Sequence, residues 1–169
     1  MKTDSTIEES LERLQGQLGF LPNLFKEMSR APAVLGVYLK GQEALSKGAL
    51  AAKEQQIVQL TIAVYNDCHY CQAAHQWMGQ KMGLSPDEIQ EIRSGVFVQS
   101  DTHLANLVRA TKLILENRGW IDPEELTRFE RQGITRVKLY EIIALIGLKT
   151  ISNYINHIAD TPIDGQFTS

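Results

Sequence analysis

Signals that start and stop helices follow one another along almost all of this 169-residue chain. No long stretch alternates with the period of two that a half-buried strand needs. Ser5 with Glu8 forms a capping-box pattern ahead of Ile7, Leu11 and Leu14, and Gly16 and Gly19 close that segment. Pro22 suits the first turn of a short helix carrying Leu24, Phe25 and Met28, and Pro32 the start of a third that ends near Gly48. From about Ala52 to Asn66 the apolar residues Ile57, Val58, Leu60, Ile62, Ala63 and Val64 point almost all round, which predicts a buried central helix. A fifth helix runs from near Asp67 to Gly83. Ser85-Pro86-Asp87-Glu88 and Asp122-Pro123-Glu124-Glu125 each put an N-cap, a proline and early acids in a row. Ser100 or Asp101 starts the helix between them, and Thr135 caps a last, long one reaching about Asp160. Val96-Phe97-Val98 is the only β-like triplet, and Asp164 to Ser169 reads as a loose tail. The pattern predicts an all-α chain of seven to nine helices, residues 1–169 forming one domain.

Composition narrows the functional classes. Apolar residues make up 43% and charged residues 22%, which excludes disordered and fibrous chains. Seventeen Lys and Arg against twenty Asp and Glu give a net charge of −3 with no basic run, so a nucleic-acid surface is not expected. The apolar run Ile142 to Ile146 is far too short to span a membrane. Met1-Lys2-Thr3-Asp4 begins no signal peptide, and a cytoplasmic location is expected.

Both cysteines, Cys68 and Cys71, fall in one Cys-His-Tyr-Cys segment. With Asn66-Asp67 capping the fifth helix, Cys68 takes about its first position and Cys71 lies one turn in. At about 100° per residue, Cys68, Cys71 and His75 share a stripe roughly 60° wide. A helix N-terminus stabilises a thiolate, an imidazole can take or hold its proton, and a second cysteine can trap an oxidised first one as a disulfide. Two other readings compete. The cysteines can be small apolar packing residues. Cys68, Cys71 and His75 can be zinc ligands, although His69, His103 and His157 bring no second cysteine pair. A thioredoxin-type site is disfavoured because a helix, not a buried strand, precedes the pair.

The stretch Leu60 to His75, with Asn66-Asp67-Cys68-His69-Tyr70-Cys71-Gln72-Ala73-Ala74-His75 at its heart, resembles the core of the carboxymuconolactone decarboxylase family. The likeness is to its cysteine-containing, alkylhydroperoxidase AhpD-like branch. Gly19-Phe20-Leu21-Pro22-Asn23-Leu24-Phe25 resembles the family's opening segment. Lys149 to His157, with Pro162-Ile163-Asp164, resembles its ending. The resemblance implies an AhpD-like helical fold assembled as trimers or hexamers. It implies that Cys71 attacks a hydroperoxide, that Cys68 resolves it as a disulfide, and that His75 is the family histidine. The implied partners are a small hydroperoxide and a dithiol reductant of lipoyl or thioredoxin type, with no cofactor or metal. A redox-responsive scaffold without catalysis, or a general thiol-disulfide oxidoreductase, is the alternative. Decarboxylation of a carboxymuconolactone belongs to family members without this pair.

One departure bears on mechanism. The family usually carries a glutamate twelve residues before the first cysteine, in a proton relay with the histidine, and here that position is Gln56. An amide accepts a hydrogen bond but not a proton. Glu54 sits about 200° round the same helix and should point away. Gln56 is expected to face His75, and a carboxylate in its place is expected to restore the relay. Tyr70, where some members have histidine, can line the pocket but is expected mainly to pack. Asn153 and His157, one turn apart, are candidates to close the pocket from the last helix.

Overall fold

The structure is a computed structural model that describes residues 5–99 and 102–168, without the side chains of Ser5 and Thr6. Among the described residues there are nine α-helices and no strand: α1 (Ser5–Leu18), α2 (Asn23–Met28), α3 (Pro32–Leu45), α4 (Ala52–Tyr65), α5 (His69–Lys81), α6 (Pro86–Ser94), α7 (His103–Glu116), α8 (Pro123–Arg131) and α9 (Arg136–Ala159). A 3₁₀ turn, Gly165–Phe167, follows.

Helix α4 is the axis of the fold, packing against α5, α7, α9 and α6. Its residues 57–63 are buried without interruption, so no side faces water and the apolar side chains run all round. Each apolar side chain fully buried in this way is worth about 1.5–3 kcal/mol. One core cluster gathers Ile57, Val58, Leu60 and Ile62 with Ile92 of α6, Leu107 of α7, Phe129 of α8 and Ile142 and Leu145 of α9. The second joins Leu24 and Met28 of α2, Leu35 and Tyr38 of α3, Ala63, Cys68, Tyr70, Cys71 and Leu148. The cysteine pair thus belongs to the cluster that α2, α3, α5 and α9 close over the end of α4.

Polar groups buried at the α4 start are satisfied locally. Glu54 Oε2 accepts the Ala51 N–H (2.7 Å) and Oε1 accepts from Lys138 Nζ (2.7 Å) and pairs with His103. Gln55 Nε2 donates to the carbonyls of Leu45 and Leu50 (both 2.9 Å), and Glu141 accepts the Ala49 and Leu50 N–H groups (2.7 and 2.9 Å). Glu54 therefore turns away from the cysteines, as its position round the helix requires.

Several boundaries differ from expectation. Gly16 lies inside α1, and Gly19, at φ 79°, ends it. The Ser5 side chain of the expected capping box, and Ser100 and Asp101, lie outside the described residues. The cap of α7 is Thr102, whose hydroxyl accepts the Ala105 N–H (3.1 Å). Asp122 is the N-cap of α8 but makes no side-chain cap bond, whereas Ser85 and Glu88 form the expected reciprocal pair (3.1 and 2.8 Å). Val96–Val98 is irregular.

The end of the chain is not loose through Thr168. Asp164 and Phe167 are buried. The Asp164 carboxylate accepts the Asn23 N–H (3.0 Å) and the Tyr70 hydroxyl (2.6 Å), and Phe167 packs edge-on against Tyr70, Trp77 and Phe20. A buried carboxylate with two donors and an aromatic anchor hold this segment, which composition alone did not reveal. Ser169 lies outside the described residues.

Candidate active site

The turn from α4 to α5 sets the cysteines in place. Asp67 adopts the left-handed conformation (φ 52°) and Cys68 N–H reaches back to the Ala63 carbonyl (2.9 Å), the pattern that satisfies a helix C-terminus. Asparagine and aspartate are among the non-glycine residues that tolerate this conformation. Cys68 is then the N-cap of α5, with its carbonyl accepting the Gln72 N–H (2.9 Å), and Asn66-Asp67 does not supply the cap. Instead, Asn66 donates to Asn153 Oδ1 (2.9 Å), tying the turn to α9.

Both cysteines are free thiols and both are buried. Their environments differ in ways that separate their chemistry. Asn156 Nδ2, on α9, donates to Cys71 Sγ at 3.3 Å and reaches Cys68 Sγ only at 3.9 Å. The Cys68 thiol hydrogen-bonds to Cys71, and the charge of Lys149 and the amides of Asn156 and Asn153 add to it. Together they hold the Cys71 thiol well below its usual range against the opposing effect of burial. Cys68 is pushed the other way, first by that same hydrogen bond, then by burial and the neighbouring Cys71 charge. Of the two sulfurs, Cys71 is the one whose surroundings favour the thiolate, and Cys68 the one whose surroundings favour the thiol.

His75, one turn after Cys71, is fully enclosed. Its Nδ1 lies 2.9 Å from Gln56 Oε1 and its Nε2 lies 2.7 Å from Lys149 Nζ. Oε1 can only accept and the ammonium can only donate, so the ring carries its proton on Nδ1 and offers Nε2 as acceptor. Burial, then the Lys149 charge, drive the His75 pKa well down, and the ring stays neutral. Gln56 therefore occupies the expected place beside His75, fixing its tautomer.

Lys149 is the residue that the sequence reading passed over. It is 1% exposed in the middle of α9. Burial disfavours its charge, but Cys71, Tyr38 and Cys68 more than compensate and its pKa is raised. Two signals existed. Lysine is almost never fully buried without a partner. Lys149 also stands four and seven residues before Asn153 and Asn156, on the face of α9 that meets the cysteines.

Tyr70 both packs and lines the cavity. Its hydroxyl donates to Asp164 and accepts from the Leu24 N–H (3.2 Å), and burial followed by Asp164 raises its pKa far above the usual phenol. Asn153 is buried at the site, but His157 is not. His157, one turn beyond Asn153 near the end of α9, is exposed, stacks on Tyr154 and does not line the pocket. Among the described residues no cluster of His, Cys, Asp and Glu could hold a metal ion, and His75 turns its two nitrogens to Gln56 and Lys149.

A cavity of about 520 Å³ runs from the exposed side chains Arg13 and Lys40 to Cys71, His75 and Lys149. Its walls are largely apolar, with Leu24, Phe25, Leu39, Trp77, Met78 and Phe167, and Gln56 and Gln59 add amides. Cys71 lines it and Cys68 does not. A molecule entering here meets the low-pKa sulfur first. No described helix is long and apolar enough to cross a membrane.

Comparison with known proteins agrees with the fold. The sequence pattern of the carboxymuconolactone decarboxylase family matches residues 32–112. No curated protein sequence matches the chain. Among solved structures, a peroxidase-related protein with an alkylhydroperoxidase AhpD core from Ralstonia eutropha JMP134 superimposes with a TM-score of 0.86 at 17% identity, over 97% of this chain and 88% of that one. A peroxidase-related protein from Silicibacter sp. TM1040 gives 0.83 at 15%, over 99% and 89%. The debrominase Bmp8 gives 0.73 at 15%, over 99% and 91%, both in its apo form and as a cysteine-to-alanine variant with 2,3,4-tribromopyrrole. The likeness extends over nearly the whole AhpD-like fold.

Proposed function

We propose that this chain, whose residues 32–112 match the sequence pattern of the carboxymuconolactone decarboxylase family, is a thiol-dependent hydroperoxide reductase that cycles through a Cys68–Cys71 disulfide. The observation that carries the reading is the asymmetry of the pair: the sulfur held as thiolate lines the cavity, and its protonated partner sits behind it. Cys71 thiolate attacks the distal oxygen of the hydroperoxide and becomes a sulfenic acid. Cys68 then attacks Cys71 and displaces water. An external dithiol of lipoyl or thioredoxin type restores both thiols. Asn156 steadies the thiolate, and His75, locked by Gln56, orients Lys149. Gln56 replacing the family glutamate thus fits a site in which a buried cation, not a carboxylate–histidine relay, activates the thiol.

The test is peroxide consumption with a dithiol, followed by mass spectrometry of the protein. Cys71→Ser abolishes sulfenic acid formation. Cys68→Ser lets sulfenic acid accumulate and over-oxidise. Reversed phenotypes would make Cys68 the nucleophile, and a single stoichiometric oxidation without turnover would favour a redox-responsive scaffold.

The cavity favours one further reading. About 520 Å³ bounded by Phe25, Trp77 and Phe167 has room for an aromatic molecule. In this reading the thiol pair supplies two electrons to remove halogen from such a ring. Bromide release from a bromopyrrole in the presence of dithiol distinguishes it from peroxide reduction.

Self-association belongs to the same proposal. Val137, Tyr140, Ile143, Tyr154 and Ile158 are exposed along α9, more apolar surface than a lone chain commonly leaves on one helix. A trimer or hexamer is expected by light scattering at micromolar concentration.

A further inference from the structure

The reading above uses the charge of Lys149 and not its proton. We propose that Lys149 is the proton store of the thiol cycle, giving its proton to the leaving oxygen when Cys71 is oxidised and recovering one when the disulfide is reduced. The inference rests on the dithiol–disulfide reading of the pair.

The geometry leaves few alternatives for that proton. Lys149 Nζ is 2.7 Å from His75 Nε2 and lines the cavity beside Cys71. His75 already carries a proton on Nδ1, bonded to Gln56, and burial beside an ammonium opposes a second. Cys68 holds the proton of the resolving thiol. Tyr38 of α3, buried, is the other titratable group that bears on Lys149, and its effect favours the ammonium.

What keeps the ammonium charged is chiefly the Cys71 thiolate. A lysine this buried is stable as a cation only with a partner charge. Oxidation removes that partner. Cys71 S⁻ attacks RO–OH, the O–O bond breaks, the sulfur gains OH, and the pair of electrons leaves on RO⁻. Lys149 NH₃⁺ protonates RO⁻ to ROH and becomes the neutral amine. The amine next takes the Cys68 thiol proton, and Cys68 S⁻ attacks the Cys71 sulfenic sulfur. The departing hydroxide takes the proton back from Lys149 and leaves as water. The sum is thiolate, thiol, ammonium and ROOH going to disulfide, amine, ROH and water, with no proton drawn from solvent. In the reductive half, a dithiol attacks the disulfide and loses two protons, one to Cys68 and one to Lys149. Lysine suits such a task because its pKa shifts readily when it is buried.

Stoichiometric hydrogen peroxide oxidises the reduced protein once whether or not it turns over with any dithiol, so this test is separate from that of the proposed function. The reduced protein is mixed with one equivalent in weakly buffered indicator near neutral pH, after absorbance at 240 nm has established the thiolate. The expected result is a disulfide formed without net proton uptake. Uptake of one proton per disulfide would overturn the proposal, as would absence of thiolate in the reduced protein. Lys149→Arg supplies the second arm, since guanidinium keeps the charge but cannot give up its proton. It should keep the 240 nm absorbance and react with iodoacetamide, whose iodide needs no proton, within a few-fold of wild type. It should react with peroxide slower by about 10²-fold, the scale of one lost acid catalyst. Lys149→Met should slow both reactions. Equal peroxide rates for Lys149→Arg and wild type would reduce Lys149 to a counter-charge. Should the arginine variant fail to fold, the wild-type proton balance still decides.

Discussion

Lys149 Nζ donates to His75 Nε2 across 2.7 Å, and both side chains are closed off from solvent. A histidine whose acceptor nitrogen already holds an ammonium is a poor general base. A lysine held by a neutral histidine keeps its charge directed at the thiol. In the proposed cycle the pair inverts the roles that the spacing of Cys68, Cys71 and His75 suggests: the cation activates and the imidazole positions.

The amide of Asn156 contributes separately to that thiolate. A hydrogen bond to a charged group is worth about 1.5–3 kcal/mol, and one pKa unit is about 1.4 kcal/mol. Asn156→Ala should therefore raise the Cys71 thiol pKa by about one to two units, read from the pH dependence of 240 nm absorbance. An unshifted midpoint would leave the Cys68 thiol, Lys149 and Asn153 as the cause.

Tyr70→Phe tests the latch on the end of the chain. The hydroxyl serves the Leu24 N–H and the Asp164 carboxylate together, and its loss leaves a buried donor without partner. The expected cost is about 1–3 kcal/mol, seen as a lower melting temperature at about 2–4 °C per kcal/mol for a chain of this size. Unchanged melting would mean that Phe167 and the Asn23 bond to Asp164 hold the segment without the hydroxyl.

Glu54 gives the fold a pH dependence with a definite sign. Burial raises its pKa, but Lys138, His103 and the Ala51 N–H outweigh that, and the folded-state value is depressed. A carboxylate depressed in the folded state stabilises above its unfolded pKa of about 4.3, and the contribution fades as pH falls through the folded value. Glu54→Gln should therefore unfold at lower urea than wild type at neutral pH. The gap should close as pH falls below the unfolded pKa and on through the depressed folded value. A gap that is constant with pH would assign the effect to packing.

The helices were legible because their signals are local. Ser85 and Glu88 form the bonds that their spacing requires, and the all-round apolar face of α4 is buried as such a face must be. Cys68, Cys71 and His75 were legible because successive helical turns fix their mutual placement, and Gln56 was legible only through the family resemblance. Lys149 and Asn156 were not, because they arrive from α9, more than seventy residues away in sequence. Only packing of α9 against α5 turns one face of a long helix into the wall of the site. Asp164 was misread for the same reason: its partners Asn23 and Tyr70 are 141 and 94 residues distant.

Gln56→Glu now carries a different expectation from the one the sequence alone suggests. A carboxylate 2.9 Å from His75 Nδ1 would favour the imidazolium. Its second proton would go to Nε2, where Lys149 now donates. Two cations cannot share that contact in a buried site, so Lys149 must lose its proton or move. Either change removes charge from beside Cys71. The variant should show a raised His75 pKa by NMR titration, a raised Cys71 thiol pKa, and slower oxidation by peroxide at neutral pH. One pKa unit on the thiol would amount to about a tenfold loss of thiolate once the midpoint passes the working pH. Faster oxidation by tenfold or more, with the His75 pKa raised, would instead restore the carboxylate–histidine relay, and Lys149 would then be a structural partner of that relay rather than its replacement.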